Sequence, residues 1–596
     1  MADNLGSAHA QFEKEAAAFK EVIFELIESG QSDAALQLLE QYALLNPSDP
    51  DIGSIKKTIS PDTDAGGAGV PDEYELLKNI ETIFILSGII IGRAGHIDSV
   101  LRKIRFMEEK WGYSPLLLTC VHNIEQRQAR IWLQTAGAGQ VSLSPAARIL
   151  NVYDYFQKSF ADGLENKAVY MDMQSDAELR YVSTAANTFE VYDGDKLLRK
   201  EFYTGYMGSL RTVRCYKDGK REKDITYDDW GYVSYVREFS KQNEAFFGEK
   251  YFTTDGNLCI EAFYKNTKDA KEGELEKLVV YDEKGSIIRE CADSSELAAL
   301  CLEQIIKGDK FYMLVVEDGL MVKAAALVDA GIKNAAKCEV VHSIFLNDAY
   351  DPASGPQPFF EYLCENQSMF DAIVLLTEAA KKDFVDIYKN PDNTFVIPNA
   401  YPYEIKQSDF DERDHLKAVI VSRLDRLKYI DLSIDIFALV AKEMPEAKLE
   451  IYGRGPDEER LRKHIKKKGL ENNVFLMGYT ENPLALYSKS ALFMTTSAIE
   501  GHPLTLIESI CSGCPAFAFD IKYGPSEIIE NGRTGFLIPR LDIKMYAKKM
   551  TALFKDKNMQ KTMSENCYAS AHRFSAKNYL NTWYKMTETL YSRWEK

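Results

Sequence analysis

A change of hydrophobic period limits what this chain can fold into more than any single motif does. On both sides of a central block, short apolar runs alternate with longer amphipathic stretches, as strands feeding helices do. Ile83 to Leu86, Leu116 to Cys120, Phe311 to Val316, Cys338 to His342, Ala372 to Leu376 and Thr394 to Ile397 are predicted strands of a first unit of this kind. Ala418 to Ser422, Lys448 to Tyr452, Val474 to Met477, Ala491 to Thr495, Ala516 to Asp520 and Phe536 to Ile538 belong to a second. Between them the period falls towards two, and Asp193-Gly194, Asp218-Gly219, Asp255-Gly256 and Lys284-Gly285 punctuate the runs as hairpin turns do. The strands expected there are Phe189 to Tyr192, Leu197 to Tyr203, Leu210 to Tyr216, Lys250 to Thr253, Leu258 to Tyr264 and Leu278 to Tyr281. The reading is an α/β protein: two doubly wound Rossmann-like domains, the first interrupted by an antiparallel β-sheet.

The expected organisation follows. Residues 1–60 form a helical hairpin resembling one tetratricopeptide unit, which cannot bury its apolar face alone. Residues 61–78 are a linker, 79–150 and 291–405 the first Rossmann-like domain, 151–290 the inserted sheet, and 406–575 the second Rossmann-like domain. The aromatic segment 576–596 is a helix expected to pack back on the first domain.

Composition sets outer limits. A chain of 596 residues with 45% hydrophobic and 27% charged residues is ordinary for a globular protein. A net charge of -18 argues against non-specific binding of nucleic acid. No signal peptide or membrane-spanning run is evident, and ten scattered cysteines fit a reducing cytoplasm. Cys511 and Cys514 have a CxxC spacing without a second pair, so packing is expected of them rather than metal or redox chemistry. No cofactor and no metal is expected; Asp409 and Asp411 have DxD spacing but lie in an interdomain segment.

Four charged residues carry the chemistry. Arg423 and Lys428 follow the first strand of the second domain, where cations can balance a diphosphate and an arginine can fork onto two oxygens. Asp425 and Asp431 are their competing partners. Glu500 and Glu508 flank the helix start Gly501-His502-Pro503-Leu504-Thr505, where unpaired backbone N–H groups make an anion site. Two cations near two acids at the edge of an α/β unit fit a nucleotide diphosphate bearing a sugar. Weaker signals are the Gly453-Arg454-Gly455 turn, Gly478-Tyr479 after a strand, the loop from Gly92 to Gly95, and His342 at a strand end, for which a structural role is the better reading of the residue by itself. A basic hairpin holding Arg211, Arg214, Lys217, Lys220, Arg221 and Lys223 is either a solvated hairpin or a contact for an acidic acceptor.

These residues, in this order, resemble the retaining GT-B glycosyltransferases of family 4, marked by an Arg and a Lys after the first strand of the second domain and by Glu-x7-Glu downstream. The run Asp520-Ile-Lys-Tyr-Gly-Pro525 is similar to a branch that includes wall teichoic acid α-glycosyltransferases and the catalytic subunit placing N-acetylglucosamine on serine-rich adhesins. The resemblance implies transfer of glucose or N-acetylglucosamine from a UDP-sugar, as substrate, to a hydroxyl of a bacterial surface polymer or a protein Ser/Thr. Arg423 and Lys428 would hold the diphosphate, Glu508 the ribose, and Glu500 and His342 the sugar. Gly92 and Gly95 would lie near acceptor and phosphate, and Gly453, Gly455, Gly478, Tyr479, Gly501, His502, Pro503, Leu504 and Thr505 would complete the donor pocket. It further implies a homo-oligomer or complex formed through the inserted sheet and a cytoplasmic site, with peripheral association at the inner membrane face compatible. A non-catalytic GT-B acceptor-binding subunit is the alternative; an interaction scaffold and a sugar phosphorylase or glycogen-type synthase are further rivals.

Overall fold

The computed structural model describes residues 72–88, 96–123, 143, 147–159, 167–169, 178–204, 209–240, 245–265, 274–401, 403–480 and 482–596, with Lys20, Ile23, Phe24 and Ile27. The rest of the expected N-terminal hairpin, most of the linker, and Gly92 and Gly95 lie outside the described residues. Asp72–Asn79, at the linker's end, is a 3-10 helix.

The chain divides into two compact units. One comprises Met1–Ala94, Trp111–Tyr312 and Lys323–Lys333; the other comprises Gly95–Lys110, Met313–Val322 and Asn334–Lys596.

In the first unit the strands Ile80–Leu86, Leu116–Thr119 and Arg148–Asn151 pair in parallel. All seven residues of Ile80–Leu86 are buried, as expected of a strand covered on both faces. The unit also holds a ten-stranded antiparallel meander from Arg180–Ala185 to Ile287–Cys291, each strand beside its neighbour in sequence. The turn residues explain the register. Asp218 and Gly219 both have positive φ (51° and 76°), the conformation a tight hairpin turn demands. Four of these strands were not anticipated: Arg180–Ala185, Lys220–Tyr227, Val233–Phe239 and Ile287–Cys291. Lys220–Tyr227 escapes because it is rich in charge; its buried positions are Asp224 and Thr226, so acid pairing replaces apolar alternation. Arg221 and Arg214 (3.4 Å) both pair with Asp224, and Arg211 reaches Asp229 at 3.5 Å. Half of the basic hairpin is thus neutralised by acids just beyond the Arg211–Lys223 window.

The second unit contains parallel pairing of Ala335–Val341, Ala372–Leu375 and Thr394–Val396, with the part of the strand Phe311–Val316 from Met313 onwards beside the first of these. It also contains a six-stranded parallel sheet in the order Val474–Gly478, Lys448–Tyr452, Asp414–Val421, Ser490–Thr495, Ala516–Asp520, Gly535–Pro539. Strand order reverses beside Asp414–Val421, so the ends of Asp414–Val421 and Ser490–Thr495 open the crevice where α/β sheets bind ligands. Helices cover both faces, burying Phe437, Leu461 and Tyr546 on one side and Leu506, Ile510 and Tyr487 on the other. The helix Ala576–Trp594 buries Tyr579, Leu580, Trp583 and Leu590. Phe106, on the helix His96–Trp111, meets the Tyr579 ring at 6.1 Å.

Candidate functional site

The crevice is built from two loops knitted together by backbone hydrogen bonds. After Asp414–Val421 the chain turns through Arg423 into the 3-10 helix Arg426–Lys428, capped by Asp425, which accepts from the Leu427 N–H at 3.0 Å. Opposite, Thr496 Oγ1 donates to the carbonyl of Tyr429 (2.8 Å), and the Ala498 N–H donates to that of Leu427 (2.8 Å). This lattice brings Lys428 against Glu500: Nζ lies 2.7 Å from Oε1, with the side chains 20% and 16% exposed. Arg423 is 76% exposed and meets Asp425 at 3.3 Å; Asp431 instead pairs with Arg460 at 2.8 Å. Arg423 is therefore a loosely held guanidinium at the rim, whereas Lys428 is fixed in the crevice.

The glycine turn forms the neighbouring wall. Leu424 donates from its N–H to the Arg454 carbonyl at 3.0 Å, and the Asp457 N–H donates to the Leu424 carbonyl at 3.0 Å. A Cβ on Gly453 would lie 1.8 Å from the Ser422 carbonyl oxygen, and one on Gly455 2.2 Å from that of Leu424. Both glycines are required by close packing against the 422–424 loop, which holds Arg423. Gly478 has φ of +78° with open space around it, and the exposed Tyr479 ring carries the Arg454 guanidinium 5.4 Å from its centroid.

The segment 500–505 departs from its sequence reading. The helix is Leu504–Cys511, and Pro503, a residue suited to the first helical position, instead precedes it as the extended cap residue. His502 is 5% exposed. Its Nδ1 accepts from the Asn399 N–H at 3.1 Å, and its carbonyl accepts from the Asn399 side chain at 2.8 Å. Burial, aided by Arg573, lowers its pKa to about 3, so it is a neutral strut. Gly501 is packed so closely that a Cβ would lie 2.4 Å from the His342 carbonyl oxygen. Gly524 closes the other side, its virtual Cβ 2.5 Å from the Gly501 carbonyl oxygen, while the Tyr523 N–H donates to the Glu500 carbonyl at 3.1 Å. The Asp-x-Lys-Tyr-Gly-Pro run is thus the brace of the Glu500 loop. Its Lys522 pairs with Asp383 at 2.6 Å, and the Glu527 carboxylate accepts from the Glu378 and Ala379 N–H groups at 3.1 and 3.0 Å, capping Glu378–Tyr388.

Glu508 does not stand beside Glu500 at the crevice surface. It faces inward, one turn into the helix, with Oε1 3.0 Å from Arg102 Nη2, the side chains 6% and 9% exposed. His342 lies with its backbone against Gly501, while its ring Nε2 is 2.7 Å from Glu317 Oε2. The structure therefore groups Lys428, Glu500, Gly501 and the His342 backbone, with Arg423 at the rim, and sets the Glu508 carboxylate and the His502 ring into the interior. Leu504 and Thr505 form the helix start, half-buried.

Arg102, Lys103, Glu317 and Asn399 escaped the sequence reading. Glu317, an acid directly after the apolar run Phe311–Val316, carried the one usable signal. Cys511 and Cys514 are buried and free, and burial raises the Cys514 thiol to about 12. Among the described residues no group of His, Cys, Asp and Glu is arranged to hold a metal, and no helix is long and apolar enough to cross a membrane.

Residues 403–570 match the family described as Glycosyl transferases group 1. The chain is 24% identical over 513 residues to the poly(glycerol-phosphate) alpha-glucosyltransferase of Bacillus subtilis (strain 168), covering 85% of this chain and 75% of that protein. It is 28% identical over 371 residues to the UDP-N-acetylglucosamine–peptide N-acetylglucosaminyltransferase GtfA subunit of Streptococcus agalactiae, covering 59% of this chain and 70% of that one. The crystal structure of a point mutant of S. aureus TarM in complex with fondaparinux, alpha-GlcNAc-glycerol and UDP superposes with a TM-score of 0.70 at 21% identity, covering 85% of this chain and 99% of TarM. The fold is GT-B, with an inserted antiparallel sheet.

Proposed function

We propose that this chain, a GT-B protein related to the group 1 glycosyltransferases, is a retaining hexosyltransferase that moves glucose or N-acetylglucosamine from a UDP-sugar to a hydroxyl of a polyol-phosphate surface polymer. The observation that carries the proposal is the Lys428–Glu500 pair, half-buried at 2.7 Å, with Glu500 on the segment that leads into Leu504–Cys511. A shielded cation and a helix N-terminus suit a departing diphosphate, whose negative charge grows as the sugar–phosphate bond breaks. Lys428 and the helix start are in place before that charge appears, which is electrostatic preorganisation. Arg423, loosely held at the rim, closes on the outer phosphate oxygens. Glu500, held by Lys428, turns to the sugar hydroxyls once the diphosphate has taken the lysine. The polyol-phosphate acceptor follows from the Bacillus subtilis relative, which matches over most of the chain; a protein hydroxyl, by likeness to the GtfA subunit, is the second acceptor class.

The test is direct. The purified chain is incubated with labelled UDP-glucose or UDP-N-acetylglucosamine and poly(glycerol phosphate), poly(ribitol phosphate) or a Ser/Thr-rich polypeptide. NMR then reads the anomeric configuration of the product. Label in a polyol-phosphate polymer with an α-linkage supports the proposal. Label only in the polypeptide moves the acceptor to protein. Neither transfer nor hydrolysis of any UDP-sugar, with no UDP binding, leaves the non-catalytic subunit.

A further inference from the structure

Behind the crevice lies a buried charged chain. Lys103 Nζ sits 2.5 Å from both carboxylate oxygens of Glu317, and Glu317 Oε2 lies 2.7 Å from His342 Nε2. Lys103 and Glu317 are shielded from solvent almost completely. The aromatic C-terminal helix supplies the lid, with the Trp583 ring centroid 5.4 Å from Lys103 Nζ. The chain ends at the candidate site, because the residue holding the imidazole is the residue whose carbonyl is packed on Gly501, next to Glu500.

The chemistry of the three groups is directional. An ionised carboxylate only accepts hydrogen bonds, and an ammonium only donates. With Lys103 against both oxygens, Glu317 is ionised, so the proton of the Glu317–His342 hydrogen bond resides on Nε2. We propose that Lys103 and Glu317 are positioning residues: Lys103 holds Glu317 as a carboxylate, and Glu317 fixes His342 with its proton on Nε2. The imidazole is then held in one tautomer and one orientation, and the backbone of the same residue is the wall against which Gly501 packs.

The surrounding charges agree. Burial alone would raise the Glu317 carboxyl, but Lys103 and His342 together hold it below the usual carboxylate range. Burial lowers Lys103, and Glu317 opposes that. Glu339, fully buried on the adjacent strand, is pushed well above the carboxylate range by burial and by the charges of Glu317 and Asp318, so it is neutral and does not compete for Lys103. Burial, reinforced by Glu317, raises Tyr579, which stays a phenol. Removing Lys103 would leave Glu317 buried beside Glu339 with no cation, and a carboxyl in that position takes a proton. Protonated Glu317 can donate to Nε2, which moves the ring proton to Nδ1.

The role in turnover rests on the proposed transferase reading, but the tautomer does not, and the experiment separates them. Histidine-labelled full-length protein is examined by nitrogen-15 NMR at neutral pH, with the His342 signal assigned by its loss in His342→Gln. Nε2 should be protonated in the wild type and in Lys103→Arg, and Nδ1 protonated with Nε2 bare in Lys103→Met. Lys103→Gln, uncharged but able to hydrogen-bond, must show the same switch and replaces the Met variant should that one not fold. Wild-type protein with Nε2 bare, or a folded uncharged variant that keeps the wild-type signal, overturns the proposal. With the switch observed, sugar transfer by the uncharged variant should fall on the order of a hundredfold in kcat with the donor KM little changed, and Lys103→Arg should recover most of it. A switch with no loss of transfer refutes the positioning role, and a switch in a protein with no transferase activity refutes the transferase reading alone.

Discussion

Replacing Arg102 by methionine separates two roles that Glu508 could play. The pair is 3.0 Å apart and nearly sealed from water. At an effective dielectric of about 20 the attraction of two unit charges at that distance is roughly 5 kcal/mol. Desolvation of both ions offsets most of it, so the pair itself adds little. Breaking it is different: Arg102→Met strands a buried carboxylate and should cost about 3–5 kcal/mol. The Tyr401 and Tyr487 phenols near Glu508, their ionisation suppressed first by burial and further by this acid, cannot replace an arginine. The double variant Arg102→Met/Glu508→Met removes both charges and should lie within about 1 kcal/mol of wild type. Urea unfolding followed by circular dichroism reads the stability of each variant, and the double-mutant cycle subtracts the Arg102–Tyr403 contact at 5.9 Å. A single variant costing under about 1 kcal/mol, or a double variant as unstable as the sum of its singles, would mean that Arg102 does not compensate the buried Glu508 charge. UDP affinity of the stable double variant then decides whether Glu508 also serves the nucleotide.

Gly501→Ala should destabilise by about 1–3 kcal/mol and impair transfer, because its Cβ must displace the His342 backbone, whereas Gly478→Ala, in open space at φ +78°, should cost about 1 kcal/mol; thermal melts and turnover of both variants check this. His502 has a folded pKa of about 3 against 6.5 for the free side chain, so the unfolded chain takes up its proton first. Stability from this group is complete above pH 6.5 and drains away as pH falls towards 3; His502→Asn should start less stable at pH 7 and show a shallower loss on acidification in urea midpoints measured across that range. Lys428→Met should lower kcat on the order of a hundredfold or more in a transfer assay while the fold persists, with Arg423→Met milder because its guanidinium is largely exposed. Equal losses for the two would contradict the difference in burial.

The α/β alternation was legible because buried parallel strands are short apolar runs with little else in them: Lys448–Tyr452 and Ala516–Asp520 begin and end where the sequence reading set them. The meander was legible at its turns, where Asp-Gly pairs dictate geometry, and illegible at Lys220–Tyr227, where Asp224 is buried by pairing with arginines. At the candidate site, Lys428 and Glu500 come together because each closely follows a strand end on the same crevice. What covers Glu508 is not legible in the sequence, because helical spacing gives the angle of a side chain and not its partner, and Arg102 lies 406 positions away. His502 stands among half-buried neighbours in the motif, yet Asn399, 103 positions upstream, draws it inward. The glycines of Gly453-Arg454-Gly455 were visible, but not that the 422–424 backbone needs the space a Cβ would take.

A crystal structure of the protein with UDP bound shows which groups take the diphosphate. It should lie at the start of Leu504–Cys511, within hydrogen-bonding distance of Lys428 Nζ, with the Arg423 guanidinium drawn in from the rim and Glu500 released from the lysine. A nucleotide bound elsewhere, with the Lys428–Glu500 pair still closed at 2.7 Å, would contradict this placement.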